Sequence, residues 1–263
     1  MNKIFIVCLF AVLFACVNSN QKATIISIET QQEIIIDLDS ISIKKLAAEF
    51  DSVNTLVRDN KIEKTQALNK LQDILPKLQA AYNLFRPNEM KNEEWIFPVE
   101  GYSSKEIGGT HGEGYIPGRY DYFDGNKHSG HAAQDIFIYD KNQDCRDDRT
   151  EQFVNIRSVS DGIVIALEKE WNSTSYLRGG KYIYVYAPNN NALFYYAHSN
   201  EVFVNVGQII NAGDTIATIG RTGLNAFKQR SPTHLHFMKL VLDKEFYPKP
   251  VDTYSELIKS ETN

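Results

Sequence analysis

Thr233-His234-Leu235-His236-Phe237, continuing through Met238 to Leu242, is the stretch on which the reading of this chain turns. In an extended strand, residues two apart share a face, so the imidazoles of His234 and His236 emerge together. Their backbones then lie about 6–7 Å apart, close enough to serve one metal, or one metal and one reacting group. Upstream lie a second candidate, His131-Ala132-Ala133-Gln134-Asp135, and between the two Tyr196-Ala197-His198. Together they supply a neutral nitrogen pair, a carboxylate and two spare imidazoles, the inventory of a hydrolytic zinc site.

Working outward, short apolar runs with turn signals between them flank this stretch. Ile136–Tyr139, Phe153–Val159, Ile163–Leu167, Lys181–Tyr186, Leu193–Ala197, Asp214–Ile219 and Leu235–Leu242 read as strands. Asp161-Gly162, Gly179-Gly180, Pro188 to Asn191 and Ala212-Gly213-Asp214 separate them. With no long helical pattern among them, an antiparallel, mainly β domain is expected from Trp95 to about residue 255, with 256–263 as a tail. Gly207-Gln208-Ile209-Ile210 and Gly213-Asp214-Thr215-Ile216 echo one another, too briefly to be a repeat architecture.

Before Trp95 the period changes. Leu46, Phe50, Val53 and Val57 are spaced 4, 3 and 4, one helical stripe. After a polar turn at Arg58 to Lys61, Leu68, Leu71, Leu75, Leu78 and Tyr82 make a second, with Pro76 expected to kink or restart that helix. Residues 41–90 are therefore an α-helical hairpin ended by Pro87-Asn88-Glu89, too small and polar to own a deep core. Residues 17–40 read as a tether with one short strand, Glu33 to Leu38.

The chain has 263 residues, 43% of them hydrophobic, and a formal charge of −5. That suits one sizeable core plus an appendage, and no basic stripe offers a footprint for nucleic acid. Lys3 and the apolar run from Ile4 to Ala15 read as an export signal, too short for a membrane span. Its close, Leu13-Phe14-Ala15-Cys16, resembles the bacterial lipobox, which implies a lipid on Cys16 and attachment to a membrane at the cell envelope; Phe14 is bulky for the motif, and cleavage by ordinary signal peptidase is the rival. With Cys8 in the signal and Cys16 lipidated, Cys145 is left alone, so a disulfide framework or a cysteine-rich zinc site is excluded by number.

The segment from about Phe97 to Tyr254 resembles the lysostaphin/LytM-type zinc metallopeptidases, which cleave peptide cross-links of bacterial cell walls. His131 and Asp135 match the first His-x-x-x-Asp motif, Tyr196-Ala197-His198 the central histidine, and His234-x-His236 the last motif. Gly213-Asp214, Ile216-Ala217 and Gly220-Arg221-Thr222-Gly223 resemble the glycine-punctuated run before it, and Pro250 to Tyr254 the family's closing edge. The resemblance implies a split-barrel fold of the duplicated hybrid motif type. It also implies one Zn2+ held by His131, Asp135 and His236, with His198 and His234 off the metal and facing a peptidoglycan peptide.

The chemistry agrees with those roles. Two imidazoles and one carboxylate leave a fourth position open, the mark of a catalytic rather than a structural zinc. Water there is acidified toward ~7, and His198 and His234 can move protons or stabilise an oxyanion, in an order the sequence leaves open. Two departures stand out. Ala133 occupies a position where the family commonly has glycine. His128-Ser129-Gly130 has the glycine but no carboxylate four residues after His128, which makes His128 a neighbour rather than a ligand. Four residues of straight strand span ~13 Å, so the chain must bend between His131 and Asp135. Asp140 to Glu151 and Asn225 to Ser231 read as insertions beside the cleft.

Against these stand plainer readings. His111 in its glycine-rich loop is a surface residue. Asp140 to Glu151 is a solvated loop, and Cys145 within it an incidental thiol. Tyr182, Tyr184, Tyr186, Tyr195 and Tyr196 are either a peptide-binding wall or strand residues packed on one face. Asn172-Ser173-Thr174 fits a glycosylation acceptor, which says nothing in an exported bacterial protein. For the hairpin, a spacer or a surface for a protein partner ranks above a lid over the zinc. The leading expectation is a zinc endopeptidase acting on peptidoglycan stem peptides or cross-bridges. Its rivals are a non-catalytic LytM-like module that regulates other wall hydrolases and a peptidase of other glycine-rich proteins.

Overall fold

The computed structural model describes residues 42–86 and 94–260. The export signal, Cys16, the tether and the Glu33–Leu38 strand lie outside the described residues. Helix α1 covers residues 42–58 and α2 covers Lys64–Phe85. Their apolar stripes fall where the spacing put them: Phe50, Val53, Val57, Leu71, Leu75, Leu78 and Tyr82 are all buried. Helix α2 runs through Pro76 without restarting. The lost backbone donor is outweighed by burial on both sides, since Leu75 and Leu78 are fully enclosed. The helix ends at Phe85, and Arg86 is non-helical at φ −129°, as expected of a residue before proline.

Ten strands follow: β1 Gln134–Phe137, β2 Asn155–Arg157, β3 Gly162–Glu168, β4 Tyr182–Ala187, β5 Ala192–Ala197, β6 Ser199–Val202, β7 Ile209–Ile210, β8 Thr215–Ile219, β9 His234–Leu242 and β10 Pro248–Val251. Each of the seven expected runs overlaps one strand. The three not foreseen have plain causes. β7 has two residues, β6 has a single apolar residue, Val202, and β10 carries two prolines, tolerable because it lies outside β9 at a sheet margin.

Every pairing is antiparallel. One sheet runs β1-β9-β5-β4-β3-β7, with β10 also on β9; a smaller one runs β2-β8-β6. Neither closes on itself, so the expected antiparallel, mainly β domain takes the form of two open sheets. Alternation along β4 sorts the core. Ile183 and Val185 face the small sheet together with Phe194, Phe237 and Ile216. Tyr182, Tyr184 and Tyr186 face the helices together with Phe50, Leu71 and Leu78.

The helix pair is therefore seated on the large sheet. Asn54 Nδ2 donates to Tyr182 Oη at 3.1 Å, and Tyr122 Oη donates to Asn54 Oδ1 at 3.0 Å. Arg58 pairs with Glu168 at 2.9 Å. At the far end, the start of the expected tail forms helix α3, Tyr254–Lys259, with Leu257 fully buried. No helix among the described residues is long and apolar enough to cross a membrane.

Candidate active site

Strand β9 delivers both histidines of the opening stretch, flanked by β1 and β5. Register places Asp135 of β1 and Ala197 of β5 opposite His236, and Phe137 opposite His234. His198 follows β5 directly, with its backbone in the left-handed region at φ +68°. His131 sits before β1 on an isolated bridge to Ile116, and the chain bends through Ala132-Ala133. That bend brings His131 Nε2 to 3.2 Å from Asp135 Oδ1, which a straight strand could not do.

His236 Nδ1 approaches the same oxygen at 3.0 Å. His234 Nε2 stands 3.7 Å from Asp135 Oδ2. The rings of His198 and His234 are 4.9 Å apart, and those of His198 and His236 5.5 Å. All five side chains of the sequence reading thus meet at one end of the central strands. His128 lines the same cleft without joining the cluster, and His111 is exposed beside Glu113.

Backbone carbonyls orient three of the rings. Nδ1 of His131 faces Gly114 O at 2.7 Å, that of His198 faces Thr222 O at 2.8 Å, and that of His234 faces Pro232 O at 2.8 Å. A carbonyl only accepts, so each Nδ1 carries the hydrogen and each Nε2 is turned toward the cluster. Thr222 and Gly223 are functional positions that the sequence reading grouped only as part of a glycine-punctuated run. Gly223 has φ +115°, and a Cβ there would meet Arg178 O at 2.3 Å and His198 Nδ1 at 2.9 Å. Only glycine leaves room there for both the Arg178 carbonyl and the His198 ring.

The electrostatics follow from this packing. Burial pushes Asp135 up, but hydrogen bonds from His131 and His236 outweigh it, and the carboxyl lies well below its ordinary range. The bond to Asp135 raises His131. Burial lowers His236 despite the same partner, because His236 is the more enclosed ring. His198 is held well below an ordinary imidazole by burial and by the neighbouring His234 and His236. It is a neutral base at physiological pH.

The donor set fits a zinc ion. Among the described residues, His131, Asp135 and His236 form the group whose possible ligand atoms all lie within 4.8 Å of one another. Two imidazole nitrogens converge on one carboxylate oxygen at 3.0 and 3.2 Å, close to the roughly 3.4 Å between neighbouring ligands on a tetrahedral ion with bonds near 2.1 Å. A divalent cation would be held where these three side chains approach one another.

The cleft above the cluster has a volume of about 260 Å³. Tyr182, Tyr184 and Tyr195 line it, whereas Tyr196 faces the opposite core and Tyr186 lies under the helices. The helix pair reaches the cleft as well, through Asn54, Val57 and Arg58, a proximity no ligand-type residue in the hairpin announced. The stretch from Asp140 is a brace rather than only a solvated loop. Asp140 Oδ2 accepts from Cys145 N at 2.8 Å and from Thr233 Oγ1 at 2.6 Å, one residue before His234. From the other side Arg221 donates to Ser231 O at 2.6 Å and Lys228 O at 3.0 Å, ordering the approach to β9.

Residues 146–248 match the model of peptidase family M23. That segment is similar to the M23 peptidases, and the resemblance to LytM/lysostaphin-type enzymes holds. The match includes His198, His234 and His236 and starts after His131 and Asp135, which the fold alone brings to it. Among solved structures, a zinc containing peptidase from Vibrio cholerae is 25% identical with a TM-score of 0.40, over 62% of this chain and 40% of that one. The antimicrobial peptidase lysostaphin from Staphylococcus simulans is 21% identical with a TM-score of 0.35, over 50% and 44%. A Ruminococcus gnavus protein assigned as the glycyl-glycine endopeptidase LytM is 19% identical with a TM-score of 0.44, over 86% and 87%. The chain therefore spans less than half the length of the first two. No curated protein matches it.

Proposed function

We propose that this protein is a zinc-dependent endopeptidase that hydrolyses peptide bonds in bacterial peptidoglycan. The observation that carries the reading is the convergence of His131, Asp135 and His236, with the Nε2 atoms of two further imidazoles turned toward them. His131 Nε2, an Asp135 oxygen and His236 Nδ1 would hold the ion. Bound there, zinc would supply Lewis acidity that polarises a peptide carbonyl and acidifies water.

The chain's own groups do the rest. His198, kept neutral by burial, accepts a proton at Nε2 from the attacking water. His234 lies within reach of the same centre, its Nδ1 hydrogen committed to Pro232 O. The proton that His198 takes from the water goes on to the leaving amine, directly or relayed through the bare Nε2 of His234, which stabilises the oxyanion while it holds that proton. Tyr184 and Tyr195, with ring centroids 4.5 Å apart, form an apolar wall along which a peptide can lie while bulk water is excluded. Export through residues 1–16, with a lipid on Cys16, would place this site at the cell envelope.

Zymography on purified cell wall tests the reading, comparing wild type, His236→Ala and wild type with a chelator. Clearing is expected from untreated wild type alone. Equal clearing in all three would end the metallopeptidase reading, and zinc-loaded wild type that clears nothing would favour the regulatory module.

A further inference from the structure

Two guanidinium groups line the cleft, Arg58 and Arg178, and their surroundings differ. Arg58 is neutralised, by Asp59 at 2.8 Å and Glu168 at 2.9 Å. Arg178 has no carboxylate partner among the described residues. One of its terminal nitrogens donates to His128 O, and its backbone N donates to Asn126 Oδ1 at 2.8 Å. A guanidinium has five donors, so most of this fork is uncommitted.

The position is nonetheless built. Adjoining backbone is pinned on both sides: Leu224 N donates to Leu177 O at 2.9 Å, and His198 N donates to Gly179 O at 3.0 Å. The glycine at 223 lies against the carbonyl of Arg178 itself. Arg178 shares the wall of the cleft with Tyr120, His128, His131 and Tyr195. A half-buried cation without a counter-ion is costly, and a planar fork favours a planar, bidentate anion. With a divalent ion against the single carboxylate of Asp135, the cleft has a positive remainder that would favour a negative group on the ligand.

We propose that Arg178 is a carboxylate-binding subsite of this cleft, so that the preferred peptides carry a free carboxylate near the bond that is cut. This rests on the peptidase reading for its consequence in turnover, and it separates acidic or carboxyl-terminal segments from neutral polyglycine as substrate class. A side-chain carboxylate and a chain-terminal one share the chemistry, and the probes tell them apart.

The test uses alanine pentapeptides made as the free acid, as the C-terminal amide, and as amides carrying one glutamate at each position in turn. Equilibrium binding and cleavage are measured with the zinc-loaded wild-type protein and with Arg178→Gln and Arg178→Lys. Wild type is expected to favour the free acid, or one glutamate position, over the plain amide by about tenfold or more in affinity and in kcat/KM. Arg178→Gln should cost the carboxylate-bearing peptides about tenfold more than it costs the plain amide, which erases the preference, and Arg178→Lys should restore part of it.

If Arg178 merely straps the His128 carbonyl, the variant will lose all peptides alike, or wild type will not discriminate; either result overturns the subsite. A circular dichroism spectrum matching wild type shows that the variants are folded, and should Arg178→Gln fail to fold, Arg178→Lys and the wild-type preference still decide. A binding preference without cleavage of any peptide would keep the subsite and count against the hydrolytic reading.

Discussion

His198 holds an unusual combination: a left-handed backbone at φ +68°, a fully directed ring, and an environment that strips it of charge. Non-glycine residues rarely adopt that conformation, and where they do the surroundings must hold it. Here the carbonyls of Gly179 and Thr222 do so, each at about hydrogen-bond length from the residue's own nitrogens. The ring touches Asp135 only through space, so its removal should spare metal binding and strike the proton transfers. His198→Ala is expected to keep its zinc and lose about 10²–10⁴-fold in kcat, read by metal analysis beside a peptide-cleavage assay. Loss of zinc along with activity would make His198 a ligand and break the assigned division of roles.

At the scale of elements, β9 is the organiser, because β1, β5 and β10 all pair with it. Its leading end is fixed by two loops, one through Arg221 and the other through Asp140 and Thr233. The second loop contains its own knot. Arg149 and Tyr102 both donate to Asp147, and the bond from Arg149 above all holds that carboxyl far below its usual range. A depressed carboxylate adds stability that is complete above its unfolded value of about 3.9 and is lost as pH falls through the folded one. Asp147→Asn should therefore melt below wild type at pH 7, and the gap in Tm should narrow as pH drops below about 3.9. Thermal scans across pH 2–7 check this; a gap that widens in acid would contradict it.

For the molecule as a whole, the helix pair is part of the core. Phe50, Leu71, Leu75 and Leu78 bury their side chains against the tyrosine face of the sheet, and each such side chain contributes roughly 1.5–3 kcal/mol. Deleting residues 42–86 should expose that face and abolish cooperative unfolding of the remainder, followed by calorimetry. A truncated chain that melts sharply near the wild-type temperature would show that the sheet does not depend on the pair for its core.

The limits of the sequence are visible at the same scale. Period-two runs marked most strands, and the order of His131, Asp135, His198, His234 and His236 marked the site, because both signals are local. The seating of α1 on Tyr182, the carbonyls of Gly114 and Thr222, and the bare charge of Arg178 arise only when distant segments meet, so no spacing along the chain encodes them.

The most direct measurement is the zinc content of purified wild type and His236→Ala after equal exposure to the metal and dialysis, determined by mass spectrometry of the elements. About one zinc per wild-type chain, and little or none in the variant, is the expected result. Wild-type protein that retains no zinc, or a variant that retains as much as wild type, would contradict the shared site of His131, Asp135 and His236.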